Sequence, residues 1–145
     1  MTTIAYRDGV LAADTGATRG SIIMSGVIKV VRVPNGDLAA AVGDAGYNGA
    51  FLRWAETGCQ GDPPTARKVD DGWDTGIVFK LGGPVICHEP SGWFEVRPAY
   101  YAIGSGKDIA LGVMFAGGSA ELAVQAAIEH DFYTRGPITI LRHEG

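Results

Sequence analysis

Thr2 carries the two groups of this chain that could do chemistry together. Methionine before a small residue such as threonine is commonly trimmed, so we expect the mature chain to begin at Thr2. A threonine hydroxyl is a weak nucleophile until a base takes its proton, and a free α-amine on the same residue can be that base. The usual pKa of an α-amine is about 7.7–8.0, so a nearby cation can keep much of it neutral. The alternative is that Thr2 merely begins a strand.

Further short motifs follow Thr2 along the chain. They are Ala12-Ala13-Asp14-Thr15-Gly16-Ala17-Thr18, Val27-Ile28-Lys29-Val30, Ala41-Val42-Gly43-Asp44-Ala45-Gly46, Ala102-Ile103-Gly104-Ser105-Gly106 and Asp131-Phe132-Tyr133-Thr134-Arg135-Gly136. Each is weak by itself, but together with Thr2-Thr3-Ile4 they resemble, in order and identity, the proteasome β-subunits and HslV peptidases among the N-terminal nucleophile hydrolases. The resemblance covers most of the chain and weakens between Gly58 and Trp73.

The residues themselves suggest how such a site would work. Lys29, if held as an ammonium within about 4–6 Å of the Thr2 amine, would lower the pKa of that amine by charge repulsion. Asp14 would keep Lys29 charged and oriented. The backbone N–H of Gly43 can approach a scissile carbonyl closely and serve as the oxyanion donor. The resemblance implies the same roles for these positions.

The resemblance also implies supporting and substrate-binding residues. Those that would support the terminal amine and its water are Ser105, Asp131 and Thr134. Those whose backbone would pair with an extended substrate are Thr18 and Ala45, a form of strand addition. Those that would form the wall of the pocket beside the nucleophile are Ala17, Val27 and Ala45. Such a pocket would be small-walled and uncharged, which suggests an apolar substrate side chain. No cofactor is expected.

Ordinary structural roles remain open for several of these residues. Ser105 could be a turn residue, Asp131 a carboxylate at a helix end, and Thr134 a capping hydroxyl. By the two-residue period of a strand, Lys29 falls on the apolar face of its segment together with Val31. It could instead lie in an edge strand with its ammonium reaching water.

Composition excludes some functions. A chain of 145 residues suits one domain, 1–145, with Met1 removed, and its 22 glycines fit a compact β-rich fold. A formal net charge of −4 without a lysine or arginine run argues against nucleic acid or an anionic membrane as partner. Without a signal-like start or an apolar run of membrane-spanning length, the expected location is the cytoplasm. The spacing of cysteines and histidines gives little support for a metal site.

The first predicted hairpin turns at Asp8-Gly9, between strands Thr3–Arg7 and Val10–Asp14. A two-residue turn would put Asp14 opposite Thr3, whereas a three-residue loop that includes Arg7 would put Asp14 opposite Thr2. Because the chemistry lies at Thr2, we expect the second register.

The remaining pattern alternates strands and helices. The predicted strands are Ile28–Val33, Leu38–Val42, Thr75–Leu81, Pro84–His88, Trp93–Val96, Tyr100–Ile103 and Ile138–Leu141. The predicted helices are a short one through Tyr47–Ala55 that ends at Gly58, then Asp108–Phe115, then Ser119–Glu129 with Ser119 as its N-cap. The stretch 59–72 is expected to be a surface loop. This order fits an α+β fold, a four-layer αββα sandwich of two antiparallel sheets.

The combined prediction is a threonine-type endopeptidase that acts on unfolded or extended polypeptide. The expected partners are copies of the same chain in a ring and an ATP-dependent unfoldase. Two alternatives stay open, namely a catalytically silent assembly subunit and an amidase or acylase with the same N-terminal chemistry. A first hairpin shorter than is general in the family and a missing second helix favour the silent subunit, whereas Thr18 and Ala45 favour peptides over small amides.

Overall fold

The computed structural model describes residues 2–69 and 72–144, which form two compact units. The first comprises 2–28 and 99–142, and the second 29–69, 72–98 and 143–144. The strands of the first unit are β1 (Thr3–Arg7), β2 (Val10–Ala13), β3 (Ala17–Arg19), β4 (Ile22–Met24), β12 (Tyr100–Gly104) and β13 (Thr139–Arg142). Those of the second are β5 (Val30–Arg32), β6 (Leu38–Val42), β7 (Lys68–Val69), β8 (Gly72–Trp73), β9 (Thr75–Phe79), β10 (Val85–Glu89) and β11 (Gly92–Val96). The helices are α1 (Ala45–Glu56), α2 (Lys107–Phe115) and α3 (Ala120–His130).

An antiparallel four-stranded sheet, in the order β12-β1-β2-β13, is the framework of the first unit. Helices α2 and α3 pack on one face of it. The apolar residues of that layer are Ala5, Ala12, Ala102, Ala110, Met114, Ala120, Ala123 and Val124. Six of these eight are alanines, and side chains this small let the helix backbones lie close to the sheet. Ser119 caps α3 as predicted, because its hydroxyl accepts the Leu122 N–H at 3.0 Å.

The first hairpin contradicts the register that we expected. Asp8 and Gly9 both have positive φ, 53° and 75°, which is the signature of a two-residue type I′ turn. Ile4 therefore pairs with Ala13, and the Asp14 N–H donates to the Thr3 carbonyl at 3.2 Å. Asp14 lies opposite Thr3, and the prediction that it lies opposite Thr2 was wrong. The local preference of Asp-Gly for the tight turn decided the register.

The second unit is built on a five-stranded antiparallel sheet in the order β11-β10-β9-β6-β5. Helix α1 covers one face through Tyr47, Phe51, Leu52 and Ala55. Gly76 in β9 lets the helix approach, because a Cβ there would lie only 2.2 Å from the Phe51 ring. Helix α1 ends as predicted, with Gly58 just beyond it at a φ of 97°.

Two short hairpins were not predicted. β3 pairs with β4 and β7 pairs with β8, and each strand has only two or three residues. The predicted loop 59–72 thus contains β7 and the start of β8, and it contains no helix among its described residues, which exclude Asp70 and Asp71. Strands this short give no readable two-residue period, so the sequence pattern does not show them.

The mixed α/β class with antiparallel sheets is as predicted, and most strand and helix bounds agree within two residues. Among the described residues, no helix is both long and apolar enough to cross a membrane.

Candidate active site

Thr2 is held against the loop that follows β12. The Ser105 hydroxyl lies 3.3 Å from the Thr2 carbonyl oxygen. Gly104 has a φ of 107°, and a Cβ at this position would lie 1.9 Å from the same oxygen. Only glycine therefore allows this approach. Thr2 itself is half-buried, and Met1 lies outside the described residues.

A chain of hydroxyls converges on Asp131 beside Thr2. Ser105 Oγ and Thr134 Oγ1 lie 2.7 and 2.5 Å from the same carboxylate oxygen, Asp131 Oδ2. Thr3 Oγ1 lies 2.7 Å from Thr134 Oγ1. A carboxylate only accepts hydrogen bonds, so Thr134 donates to Asp131 and Thr3 donates to Thr134. The network therefore has one direction for its protons, from Thr3 through Thr134 to Asp131.

The residues of this network lie at or near the ends of helices α2 and α3. Asp131 is the C-cap of α3, and Thr134 follows in a turn in which its N–H donates to the Asp131 carbonyl at 3.2 Å. Gly106 precedes α2, and a Cβ there would lie 2.2 Å from Thr3 Oγ1. The Ser105-Gly106 turn therefore packs directly on the strand that begins at Thr3.

Asp14 is a fully buried carboxylate that bonds backbone on both sides of it. Its Oδ1 accepts the Thr3 N–H at 2.9 Å, and its Oδ2 accepts the Arg135 N–H at 3.0 Å. Asp14 thereby ties the residue after Thr2 to the segment that carries Thr134. The sequence predicted only a role in orienting Lys29 for this residue, and its backbone role came from the tertiary structure.

Lys29 and Gly43 belong to the second unit. Lys29 is 6% exposed and lies immediately before the edge strand β5, next to buried Val30 and Val31. The low exposure of Lys29 agrees with the prediction that it falls on the apolar face of its segment. The approach of Lys29 and Gly43 to Thr2 stays a prediction.

Gly43 lies exposed at the end of β6, in the tight link to α1, with a φ of 132°. Its carbonyl accepts Asn48 Nδ2 at 3.3 Å, and the following N–H, that of Asp44, donates to Asp74 Oδ1 at 2.9 Å. The Asp44 side chain caps α1 by accepting the Gly46 N–H at 3.0 Å. The peptide after Gly43 is thus held at its oxygen and at its nitrogen.

The expected substrate-binding residues lie in both units. Ala17 and Thr18 are in β3, and Val27, whose N–H donates to the Thr15 carbonyl at 2.9 Å, follows β4. Ala45 begins α1 in the second unit. Thr18 and Ala45 are exposed, as residues that pair with a substrate must be, and their role stays a prediction.

A cavity of about 520 Å³ lies within the second unit beside the N-terminus of α1. Its walls include Asp44, Tyr47, Arg67, Lys68 and Asp74. Burial raises the pKa of Tyr47, and the Asp74 carboxylate adds to the effect, so this phenol stays protonated. Among the described residues, no group of three or more His, Cys, Asp or Glu side chains could hold a metal ion.

Sequence reasoning missed two residues of the candidate site, Thr3 and Asp74. Thr3 resembles an ordinary strand residue, and its partner Thr134 is 131 positions away. Asp74 stands directly before β9, a strand of five buried residues. A lone acidic residue at the start of such a strand was the only available signal.

No protein-family model and no curated protein matches the chain. Among solved structures, it is similar to BPH of Thiobacillus denitrificans in complex with epoxomicin, with a TM-score of 0.66 and 21% identity over 97% of this chain and 96% of that one. A second structure of Thiobacillus denitrificans BPH matches with a TM-score of 0.66 and 20% identity, over 97% of this chain and 95% of that one. The chain therefore shares the fold of this BPH.

Proposed function

We propose that this protein is a threonine-type endopeptidase of the proteasome and HslV kind, with Thr2 as its N-terminal nucleophile. The observation that carries the proposal is the network of the first unit, in which Ser105, Asp131 and Thr134 converge beside Thr2. These three residues come from distant motifs and were expected together from the resemblance alone. An ordinary strand start does not need a directed chain of hydroxyls that ends on a carboxylate.

In this proposal the Thr2 hydroxyl attacks the scissile carbonyl while its proton passes to the Thr2 α-amine, directly or through a water held by Ser105 and Asp131. The Gly43 N–H donates to the oxyanion of the tetrahedral intermediate. Collapse breaks the C–N bond, and the proton on the amine goes to the leaving group. Water then hydrolyses the Thr2 ester by the same route. Lys29 keeps the amine neutral by charge repulsion.

The proposed arrangement of the chain is the four-layer αββα sandwich. The alternation of the strands supports it. In each sheet the residues that alternate with the helix-covered ones are also apolar and buried, and in solvent such faces would be unstable. These residues are Ile4, Leu11 and Ala13 in the first unit and Leu38, Ala40, Ile77 and Phe79 in the second.

The proposed substrate is extended polypeptide. Thr18 and Ala45 are exposed and could pair with a substrate backbone, and Ala17 and Val27 present small apolar walls. The structure of the similar BPH in complex with epoxomicin, a proteasome inhibitor, supports the same class of chemistry.

Intact mass and covalent labelling test the proposal. The purified protein should lack one methionine, and a threonine-directed electrophile such as an epoxyketone should add to the trimmed form alone, since an acylated nitrogen cannot accept the hydroxyl proton. Thr2→Ala should abolish the adduct and the cleavage of unfolded casein, whereas Thr2→Ser should keep part of both. Cleavage by protein that quantitatively retains Met1 would refute the mechanism.

The same experiment separates the alternatives. Protein that retains Met1 and cleaves nothing, or that is trimmed but neither labels nor cleaves, would be a silent assembly subunit. Trimmed protein that hydrolyses small amides but leaves unfolded casein intact would be an amidase.

The proposal includes assembly into a homo-oligomeric ring, which would enclose the nucleophile, and an ATP-dependent unfoldase that feeds it. Light scattering at micromolar concentration should give a mass that is a multiple of the 15.2 kDa chain. A monomer alone at this concentration would contradict the ring.

A further inference from the structure

We infer that Asp74 is a positioning residue that sets the direction of the Gly43 N–H, the oxyanion donor of the proposed mechanism. This inference rests on the proposed function. It assigns to the reaction a carboxylate that lies in none of the motifs from which that function was argued. All the contacts that carry it lie within the second unit.

The first observation is how the two oxygens of Asp74 are used. Oδ1 accepts the Asp44 N–H at 2.9 Å, and Oδ2 accepts the Arg67 N–H at 3.0 Å. The Asp74 N–H donates in turn to the Arg67 carbonyl at 2.9 Å. Asp74 is 2% exposed. Within the described part of the chain no cation pairs with this carboxylate, so backbone N–H groups are what offset the cost of burying it.

The second observation is how closely Asp74 packs on Gly43. A Cβ built on Gly43 would lie 2.4 Å from Asp74 Oδ1 and 2.8 Å from Asp74 Cα. Asp74 therefore occupies the space beside Gly43 that the side chain of any other residue would fill. Its φ of 132° is a conformation that L residues rarely adopt.

Together these contacts remove the freedom that a glycine would otherwise have. On its N-terminal side the chain is fixed by the ladder, in which Val42 pairs with Thr75, the residue after Asp74. On its C-terminal side the peptide is fixed by Asp74 at its N–H and by Asn48 at its carbonyl. With both flanks held, the Gly43 N–H has one direction before a substrate arrives, which is the condition for an effective oxyanion donor.

A matched control exists at the opposite end of the same strands. Asp37 lies directly before β6, whereas Gly43 lies directly after it, and Asp37 is 4% exposed. Its Oδ1 accepts the N–H of Leu81, a residue just beyond the end of β9, at 2.7 Å. Asp37 thus accepts a backbone N–H at the far end of the strands, as Asp74 accepts one at the link after Gly43. Removing either carboxylate should destabilise the unit, but only Asp74 should affect the reaction.

The test compares wild type, Asp74→Ala and Asp37→Ala on a fluorogenic peptide. We expect Asp74→Ala to lower kcat by about 10- to 100-fold, somewhat less than the loss of an oxyanion donor outright, with KM within about twofold of wild type. Asp37→Ala should keep the wild-type kcat per folded molecule, with the folded fraction measured by circular dichroism.

The affinities of two ligands that share one peptide sequence, a boronate and an amide, give a second readout. A peptide boronate forms a tetrahedral adduct that places an oxygen at the oxyanion donor, whereas the corresponding peptide amide binds as a ground state. Asp74→Ala should weaken the boronate by about 10- to 100-fold and the amide by less than about twofold, in line with its kcat. A purely structural role would leave the ratio of the two affinities unchanged.

Asp74→Glu serves if the alanine variant does not fold. It keeps the charge but adds a methylene where Gly43 leaves no room, so it should displace the link and lower kcat. A folded Asp74→Ala or Asp74→Glu protein with wild-type kcat and wild-type boronate affinity overturns the inference while the proposed function stands. Wild-type protein that neither cleaves the peptide nor prefers the boronate over the amide refutes the proposed function, and the inference with it.

Discussion

The Thr3 hydroxyl lies 2.7 Å from the Thr134 hydroxyl, although 131 positions separate the two residues in the sequence. Both side chains are almost completely buried, at 0% and 2% exposure. Because Thr134 also donates to Asp131, its oxygen is left to accept from Thr3. The residue next to the proposed nucleophile thus takes part in the network that we propose supports the terminal amine.

Replacing Thr3 by valine should weaken the proposed site. The substitution keeps the shape of the side chain but leaves the Thr134 oxygen without its donor, at a cost of about 1–2 kcal/mol in the free energy of unfolding. We expect kcat on a fluorogenic peptide to fall at least about threefold, since Thr134 and Asp131 lose an anchor.

Thr15→Val is the control for this experiment. Thr15 also has a buried hydroxyl, which donates to the Pro137 carbonyl at 2.6 Å. A similar loss of stability with unchanged kcat is expected there. Equal effects of the two variants on kcat would show that Thr3 acts only through the fold.

Replacing Lys29 by alanine should abolish turnover at neutral pH with little loss of fold. If its charge lowers the pKa of the Thr2 amine, a neutral side chain lets that pKa rise, and less of the free base remains at neutral pH. The acidic limb of the pH profile of kcat/KM should therefore move to higher pH in Lys29→Met, and residual activity should recover as the pH is raised. Arg32→Ala, three positions away on the exposed side of β5, should leave the profile unchanged. A fully active Lys29→Ala protein would eliminate this role.

Asp37 should make the fold sensitive to acid. Burial raises the pKa of this carboxyl, but hydrogen bonds from Lys80, the Leu81 N–H and Asn35 outweigh burial and hold the pKa below its usual 3.8. A carboxyl with a lowered folded pKa adds stability that is complete above the unfolded value and is lost as the pH falls below about 4.

Urea denaturation between pH 7 and pH 3 checks this prediction. Asp37→Asn should lower the free energy of unfolding at pH 7 by about 1–3 kcal/mol, because hydrogen bonds to a charged group are lost. The variant should also lose less stability than wild type between pH 4 and pH 3. Parallel curves for the two proteins would contradict the assignment.

His88 should add a second pH dependence at higher pH. Its ring lies 5.5 Å from the Phe51 ring and 5.6 Å from the Trp54 ring, and burial lowers its pKa below the usual 6.5. The unfolded chain then binds the proton more readily, so stability declines as the pH falls below about 6.5. Thermal melts at pH 7.5, 6.5 and 5.5 should show a smaller decline for His88→Phe than for wild type. An identical decline in both proteins would exclude His88 as the cause.

Local features of the sequence predicted what local interactions decide. The Ser119 cap and the end of α1 at Gly58 are both present as predicted, since each depends on residues a few positions apart. The turn at Asp8-Gly9 is likewise decided by local residues. Its sequence specifies the two-residue turn, and this turn places Asp14 opposite Thr3 whatever chemistry is expected at Thr2.

Only the tertiary structure decided which distant groups meet. The ordered motifs predicted Ser105, Asp131 and Thr134 as candidates, but no motif indicated that Thr3 joins them or that Asp14 bonds the backbone of Thr3 and Arg135. Asp74 lies 30 positions from the Asp44 N–H that it accepts. Such contacts depend on how whole strands and helices pack, and no pattern of neighbouring residues records that. The sequence by itself therefore determined the elements and most candidate residues, and the packing of strands on helices determined which of them touch.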